Sequence, residues 1–482
     1  MIELYIALGI LGALLVTFVA VLLIRTAMFK PKKQSPISAE AIIVDGEKAV
    51  ADLAQMIRCR TISDKEKENE NEEEFDKFKA LLPTLFPIVF EKCTVEYPSD
   101  RSILIRWKGK ASDAPTVLMS HFDVVSVVEE DWEKPPFEGI IENGVLWGRG
   151  TLDTKATLNG ILQAAEELLK SDFVPQNDVY FAFGGDEEIN GYGARTIVAL
   201  FQERGITPAL VLDEGGAVVE KVFPGVSKPC ALIGIAEKGM LNAQYTIKTA
   251  GGHASSPAPH TPVGRLSAAC VRVENHPFPF RITKPAKAMF DTLGRHSTFL
   301  YRMIFANLWC FAPVLNMITK KSGGELNALM RTTVAFTQME GSKGMNVIPP
   351  MARMVSNSRL LDGETVESAI AYLQKTVGDP DITVTAIEGT NPSVVSRIDS
   401  EGWKRVARVT AENWPNAIVS PYLMIACSDS CHWGVISDNV YRFSAMALSK
   451  EERGTIHGNN EKIPVGTIIK TVEFYIRLLR NS

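Results

Sequence analysis

The sequence predicts an α/β protein: an open α/β sheet domain interrupted by an inserted ferredoxin-like α+β domain and preceded by one N-terminal transmembrane helix. Three observations carry that prediction. Short apolar runs alternate with helix-period segments along most of the chain, the pattern of an α/β sheet. A β-α-β-β-α-β order interrupts that pattern from about Lys238. Residues 4–24 form an uncharged apolar run of about 21 residues, enough for a helix to cross a ~30 Å hydrocarbon core.

A cleaved signal peptide calls for a basic stretch ahead of the run and small residues at its end. Here Glu3 precedes it and Arg25, Lys30, Lys32 and Lys33 follow, which fits an uncleaved single-pass anchor better. The positive-inside bias then leans the downstream protein towards the cytoplasmic side. The sequence Asn391-Pro392-Ser393 is disqualified as a glycosylation acceptor by its proline.

After a polar, proline-marked linker at 33–38, residues 116–119, 179–183 and 209–212 read as buried strands. Residues 157–169 place Leu158, Ile161, Leu162, Ala165 and Leu168 on one helical face. The Glu/Lys/Asn run at 65–74 reads as a solvated surface segment. The inserted domain reads as strand 241–249, helix 263–273, strands 332–337 and 351–359, helix 365–376 and strand 382–387. Between its first helix and second strand, 290–318 is apolar but broken by Arg302, Asn307, Pro313 and Asn316, which argues against a second span. Two readings stand for it: extra helices packed on the inserted domain, or an apolar wall for a hydrophobic substrate. The expected segments are 1–33 (anchor and basic flank), 34–237 and 389–482 (the main domain in two parts) and 238–388 (the insertion).

Composition narrows the class. With 482 residues, 46% hydrophobic and 22% charged, the chain is that of an ordinary globular protein with several domains. The 51 Lys+Arg against 56 Asp+Glu leave a net charge of −5, with no basic block interleaved with aromatics, so nucleic acid is not a partner. Seven cysteines without CxxC spacing indicate free thiols rather than a disulfide framework or zinc ribbon. Cys427, Cys431 and His432 alone make a weak thiolate site against ordinary packing.

Chemistry-bearing residues cluster where ligands bind in open α/β sheets, at strand carboxyl ends and helix-opening turns. Ser120-His121-Phe122-Asp123 offers a ligand histidine and a carboxylate to orient it. In Gly148-Arg149-Gly150-Thr151-Leu152-Asp153-Thr154-Lys155, glycines permit a tight turn and Asp153 stands just ahead of a helix, where a plain N-cap is the alternative. Gly184-Gly185-Asp186-Glu187-Glu188 and Asp213-Glu214-Gly215-Gly216 follow buried strands. Consecutive carboxylates repel unless a cation or proton offsets them, so one can bind metal while its neighbour stays free as a base. A lone His457 comes much later. Two zinc ions balance three carboxylates and a hydroxide to neutrality, and two imidazoles complete the coordination; one zinc would leave excess negative charge.

Taken in order, these segments resemble the di-zinc aminoacylase/carboxypeptidase metallopeptidases, which carry HxD, GRGxxD(x)K, a DEE triplet, an acidic residue about 25 further on and a late His. Within them the likeness is to Gly-X carboxypeptidases and N-fatty-acyl-amino acid synthase/hydrolases, through Leu212-Asp213-Glu214-Gly215-Gly216, Ala236-Glu237-Lys238-Gly239 and Ile456-His457-Gly458-Asn459-Asn460-Glu461-Lys462. The resemblance implies a zinc-peptidase-like catalytic α/β domain with an inserted lid, two Zn²⁺ per subunit, and a homodimer by analogy. It implies His121 and Asp213 on one zinc, Glu188 and His457 on the other and Asp153 bridging, with Asp213 preferred to Glu214. Glu187 would be the general base, Asp123 the orienting carboxylate, His253 of Gly252-His253-Ala254-Ser255 the carbonyl-polarising residue, and Asn346 and Arg359 substrate-carboxylate contacts. Where relatives tend to have TDxR this chain reads Ser428-Asp429-Ser430-Cys431, without the Arg.

The expected function is a membrane-anchored amidohydrolase or carboxypeptidase that releases an amino acid from a short peptide or N-acyl amino acid. The alternative is a synthase/hydrolase of fatty-acyl amino acids. A di-metal phosphoesterase lacks support beyond Arg149 and Lys155, and a non-catalytic metal-binding membrane protein leaves Glu187 without a purpose.

Overall fold

The computed structural model describes residues 1–32 and 40–482; the linker expected at 33–38 lies outside the described residues. Its largest sheet has eight strands in the order Thr94–Ser99, Ser102–Trp107, Asn177–Gly184, Ala111–His121, Leu210–Val219, Val440–Leu448, Cys230–Glu237 and Ile418–Met424. The central four, Asn177–Gly184 through Val440–Leu448, run parallel, with antiparallel strands on either side.

Both faces of this sheet are covered, and the side chains show it by alternating between two cores. Leu118, Ile103, Ile105, Phe181 and Phe183 join one cluster with the helices Gly46–Ile57, Lys155–Lys170 and Val465–Arg480. Val117, Met119, Leu104, Tyr180 and Ala182 join the other with Gly193–Glu203 and Trp433. Successive residues of a strand point to opposite faces, so a sheet buried on both sides reads as a continuous apolar run. Phe122 stacks on Phe78 at 4.9 Å and is fully buried. Its truncation to alanine would cost about 3–5 kcal/mol and would loosen the two polar residues that flank it.

A second, four-stranded antiparallel sheet is formed between Cys230–Glu237 and Ile418–Met424 in the chain. Its order is Thr333–Glu340, Met351–Leu360, Gly239–Lys248, Ile382–Thr390. Helices Pro262–Asn275 and Val366–Val377 cover one face and share a separate core with Leu241, Ala243, Tyr245 and Ile247. This is the ferredoxin-like order and arrangement. A third, three-stranded sheet pairs Lys462–Pro464 with Val145–Trp147, which brings the late His457 loop beside the Gly148–Asp153 turn.

The apolar stretch after the first inserted helix forms three helices, Lys284–Gly294, Phe299–Ala306 and Leu308–Ser322. They do not pack on the inserted sheet. Lys284–Gly294 lies on the edge strand Ile418–Met424 of the large sheet, and Phe299–Ala306 lies on the N-terminal helix Ile2–Met28. That N-terminal helix has 27 residues and is long and apolar enough to cross a bilayer, as an anchor or a signal helix is. The run at 65–74 is not wholly solvated either. Glu70 and Glu72 both accept from Arg101 Nη2, at 2.6 and 2.8 Å, and the guanidinium lies 3.4 Å over the Phe75 ring. All seven cysteines are free.

Candidate metal centre

The carboxyl ends of three parallel strands converge. His121 is the last residue of its strand and pairs in register with Gly184, the last of the next; Leu118 pairs with Leu212 just before Asp213-Glu214. The Gly148–Asp153 turn and His457 reach the same point from the other side through the small sheet. At its centre stands Asp153. Its Oδ1 is 3.0 Å from His121 Nε2 and its Oδ2 is 3.1 Å from His457 Nε2, so one carboxylate faces two imidazoles with different oxygens. His121 Nε2 also lies 3.4 Å from Glu214 Oε1 and 4.0 Å from Glu187 Oε2; His457 Nε2 lies 3.0 Å from Glu188 Oε2.

Ligand atoms sharing a tetrahedral zinc at bond lengths of ~2.0–2.1 Å stand about 3.3 Å apart. The four His–carboxylate separations from 3.0 to 3.4 Å match that spacing. The donor set is imidazole nitrogen and carboxylate oxygen, the ligands zinc takes. The groups His121/Glu187/Glu214 and His121/Asp153/Glu188 each bring three such atoms together.

Electrostatics points the same way. Burial, together with Asp153, pushes the Glu214 carboxyl up to about 8. Burial, then Glu214, Asp429 and Glu188, raises Glu187 well above the carboxylate range, and burial raises Glu188. Burial pulls the His121 imidazolium down, but Glu214, Asp123 and Asp153 outweigh it and leave the group well above its ordinary value. Hydrogen bonds to Asp153 and Glu188 push His457 up to about 10. In Asp153, burial is outweighed by the two imidazoles, which hold the carboxyl below its usual range. Without a cation the cluster must hoard protons, and a bound dication replaces them.

The surrounding residues fix these groups. His121 Nδ1 lies 3.0 Å from the backbone carbonyl of Asp123 and 3.3 Å from its carboxylate, so the carbonyl is the nearer orienting partner. The Asp123 carboxylate accepts from the backbone N–H groups of Glu187 and Glu188, at 3.2 and 3.1 Å, and from Ser63 Oγ at 2.7 Å. It thereby holds the very turn that presents the two glutamates. Glu461 does the same for the Asp153 turn. Its buried carboxylate accepts from Arg149 Nη1 at 2.6 Å, Gly150 N at 3.0 Å and Leu152 N at 2.7 Å. Gly150 has φ +86°, and a Cβ there would stand 2.8 Å from Val124 Cγ1. Lys155, fully buried, donates to the carbonyls of Met56 and Cys59.

The geometry presents Glu214 to His121, where Asp213 was the expected ligand. Asp213 turns away: its oxygens accept from Glu214 N at 2.9 Å and Ser430 N at 3.0 Å, and the side chain that faces His121 is Glu214. Arg359 does line the cleft, a space of about 630 Å³, and donates to Cys427 Sγ at 3.1 Å. His253 and Asn346 do not. They sit together at an exposed corner, where Ala254 N donates to the Asn346 carbonyl at 2.9 Å and His253 Nδ1 faces Ser255 Oγ at 2.7 Å. That corner follows the far end of Gly239–Lys248, a strand about 30 Å long whose first residues adjoin the cleft.

Sequence reasoning missed two acids, the half-buried Asp429 and the buried Glu461. Asp429 appeared only as part of a departure from TDxR, yet it stands close enough to Glu187 to raise its pKa. Glu461 was quoted within a motif without a role; its signal was a carboxylate four residues beyond His457. The cleft's remaining wall, including Leu232, Tyr422 and Arg453, carries no motif at all.

Residues 117–481 match the description of peptidase family M20/M25/M40. The chain belongs to the M20 peptidase family. It is 36% identical over 481 residues to the N-fatty-acyl-amino acid synthase/hydrolase PM20D1 of Xenopus tropicalis, covering 97% of this chain and 93% of that one. It is 32% identical over 489 residues to "Probable carboxypeptidase S-like 2" of Dictyostelium discoideum, covering 98% and 93%. The M20 family metallo-carboxypeptidase Sso-CP2 of Sulfolobus solfataricus shares the fold with a TM-score of 0.65 at 16% identity, over 90% of this chain and 98% of that one. As an M20 member the protein is a hydrolase of a metal-dependent peptidase family.

Proposed function

We propose that the protein is a zinc-dependent amidohydrolase, anchored by Ile2–Met28, that releases an amino acid from an N-acyl amino acid or a short peptide. The observation that carries this reading is Asp153 facing His121 and His457 with its two oxygens. His121 and Glu214 would hold one metal ion, His457 and Glu188 the other, and Asp153 would bridge. Two zinc ions held there supply Lewis acidity, which lowers the pKa of water and polarises an amide carbonyl. Glu187, beside the cluster and not needed as a ligand, takes the proton of the attacking water and returns it to the leaving nitrogen. Asp123 holds Glu187 and Glu188 at a fixed separation through their backbone N–H groups. Arg359 offers the substrate's carboxylate a cation in the cleft wall.

Residues 34–237 and 389–482 form the catalytic body in this reading, and 238–388 a lid. His253 and Asn346 act from a second copy of the chain, as a dimer through the inserted domain would place them. The basic flank favours a cytoplasmic catalytic body, which protease protection in sealed vesicles reads out. A fatty-acyl substrate is favoured over a peptide by a cavity of about 500 Å³, lined by Phe223, Leu293, Leu326 and Leu329 beside the charged Lys221, Glu325 and Arg453, that adjoins the cleft at Leu232, Tyr422 and Arg453. The relatives' printed activities include both kinds. The test is a panel of Gly-X dipeptides and N-acyl amino acids of increasing chain length, with and without a chelator. Chelator-sensitive release of a free amino acid, rising with acyl length, supports the reading; no hydrolysis by the zinc-replete protein overturns it.

A further inference from the structure

The helices Phe299–Ala306 and Leu308–Ser322 meet at a bend of 111°, and neither is long enough to span a bilayer. Their surface is unlike that of a soluble cover. Leu300 is 61% exposed, Trp309 58% and Met317 65%, with Phe299, Val314 and Ile318 also bare. Contiguous exposed apolar surface of this kind marks an interaction site. Lys320 and Lys321 close the second helix, where cationic side chains meet lipid headgroups.

The bend is built for a place without water. Asn307, at the break, is fully buried against the N-terminal helix, and its Nδ2 donates to the Met303 carbonyl at 2.9 Å and to Leu22 O and Thr26 Oγ1 at 3.3 Å. Arg25 donates to Ala306 O at 3.1 Å and to Asn307 Oδ1 at 3.1 Å. The polar groups that the break frees are thus satisfied by the apolar helix itself, which is what a break at membrane depth requires. Trp309 lies edge-on to Phe18, with ring centroids 5.9 Å apart. Phe18 is seven residues before Arg25, so at 1.5 Å per residue the contact lies about 10 Å along the helix from that charge.

Beneath the pair, Tyr301 lines the 500 Å³ cavity with Phe223, Leu293, Leu326 and Leu329. Its far end shares Leu232 and Tyr422 with the metal cleft. A cavity therefore runs from beneath the exposed helical pair to the cleft wall, its apolar side chains interrupted by Lys221, Glu325 and Arg453.

We propose that Phe299–Ser322 is seated in the acyl region of the same leaflet that the N-terminal helix enters, and that the cavity beneath it admits a substrate's acyl chain from the bilayer to the cleft. This rests on the anchored N-acyl-amino acid hydrolase reading above. Trp309 is the one exposed tryptophan among the described residues, so its fluorescence tests the seating. The full chain is reconstituted in phosphatidylcholine vesicles with brominated acyl chains. Quenching that is lost in Trp309→Phe and returns when Phe18→Trp is added supports the seating. Equal quenching of the wild type and Trp309→Phe, with Phe18→Trp quenched, overturns it. An unquenched Phe18→Trp removes both the anchor and the seating.

The cavity is tested separately with Val222→Trp and Leu326→Trp, two half-buried lining positions. Each should lower kcat/KM for an N-palmitoyl amino acid, relative to its N-acetyl counterpart, by about tenfold or more. An unchanged ratio in both variants overturns the acyl path. If the wild type hydrolyses dipeptides but no acyl amino acid, the substrate reading and the acyl path fall together, while the fluorescence result still decides the seating.

Discussion

The strand Gly239–Lys248 joins two regions that the sequence assigned to one reaction, and they differ in kind. At its start, Met240 and Asn242 line a cleft whose carboxylates are half-buried and cross-braced. Beyond its finish, His253 and Asn346 stand in solvent with only local partners. A residue that works inside its own chain is held there by hydrogen bonds from several segments, as Asp123 and Glu461 show. A functional residue without such bracing points outward, to another surface.

The sharpest way to break this comparison is at the braced end. Glu187→Gln should retain bound zinc and lose about 10²–10⁴-fold in turnover, the usual contribution of a general base. Metal analysis alongside kinetics checks it, and near-normal turnover removes Glu187 from that role. Next in size is Glu461→Ala, which leaves the buried Arg149 without its partner and should cost about 3–5 kcal/mol, read as denaturant midpoint at constant slope. At the unbraced end, His253→Ala should lower kcat by about 10²–10³-fold without changing metal content or stability. Mixing it with Glu187→Gln should restore activity if the histidine crosses a dimer, and should not if it serves no cleft. Smallest is Asp213→Asn, which should change zinc affinity by less than about tenfold, whereas Glu214→Gln should weaken it by more. Competition with a fluorescent chelator separates the two.

The large sheet and the ferredoxin-like sheet were legible because their strands are apolar runs or clean alternations bounded by turns. His121, Asp153, Glu187, Glu188 and His457 were legible as a set through spacing and resemblance, not singly. Asp213 against Glu214 was not. Neighbouring residues of a strand face opposite sides, and here the register with Val440–Leu448 slips between Asp213 and Gly216, so no count along the strand gives the facing residue. Burial of Glu461 and Lys155 was hidden for a similar reason: a charged residue reads as surface unless its partners, hundreds of residues away for Glu461 and Arg149, are known. The helical pair at 299–322 was ambiguous because an interrupted apolar run has the same composition whether protein or lipid covers it.

The central claim is that Asp153 joins two metal ions held by His121 and His457. The direct measurement is zinc content per chain of the full-length protein and of Asp153→Asn, each loaded with excess zinc and freed of unbound metal. We predict two zinc ions in the wild type and fewer than one in the variant. A single zinc in the wild type, or two retained by Asp153→Asn, would contradict the account.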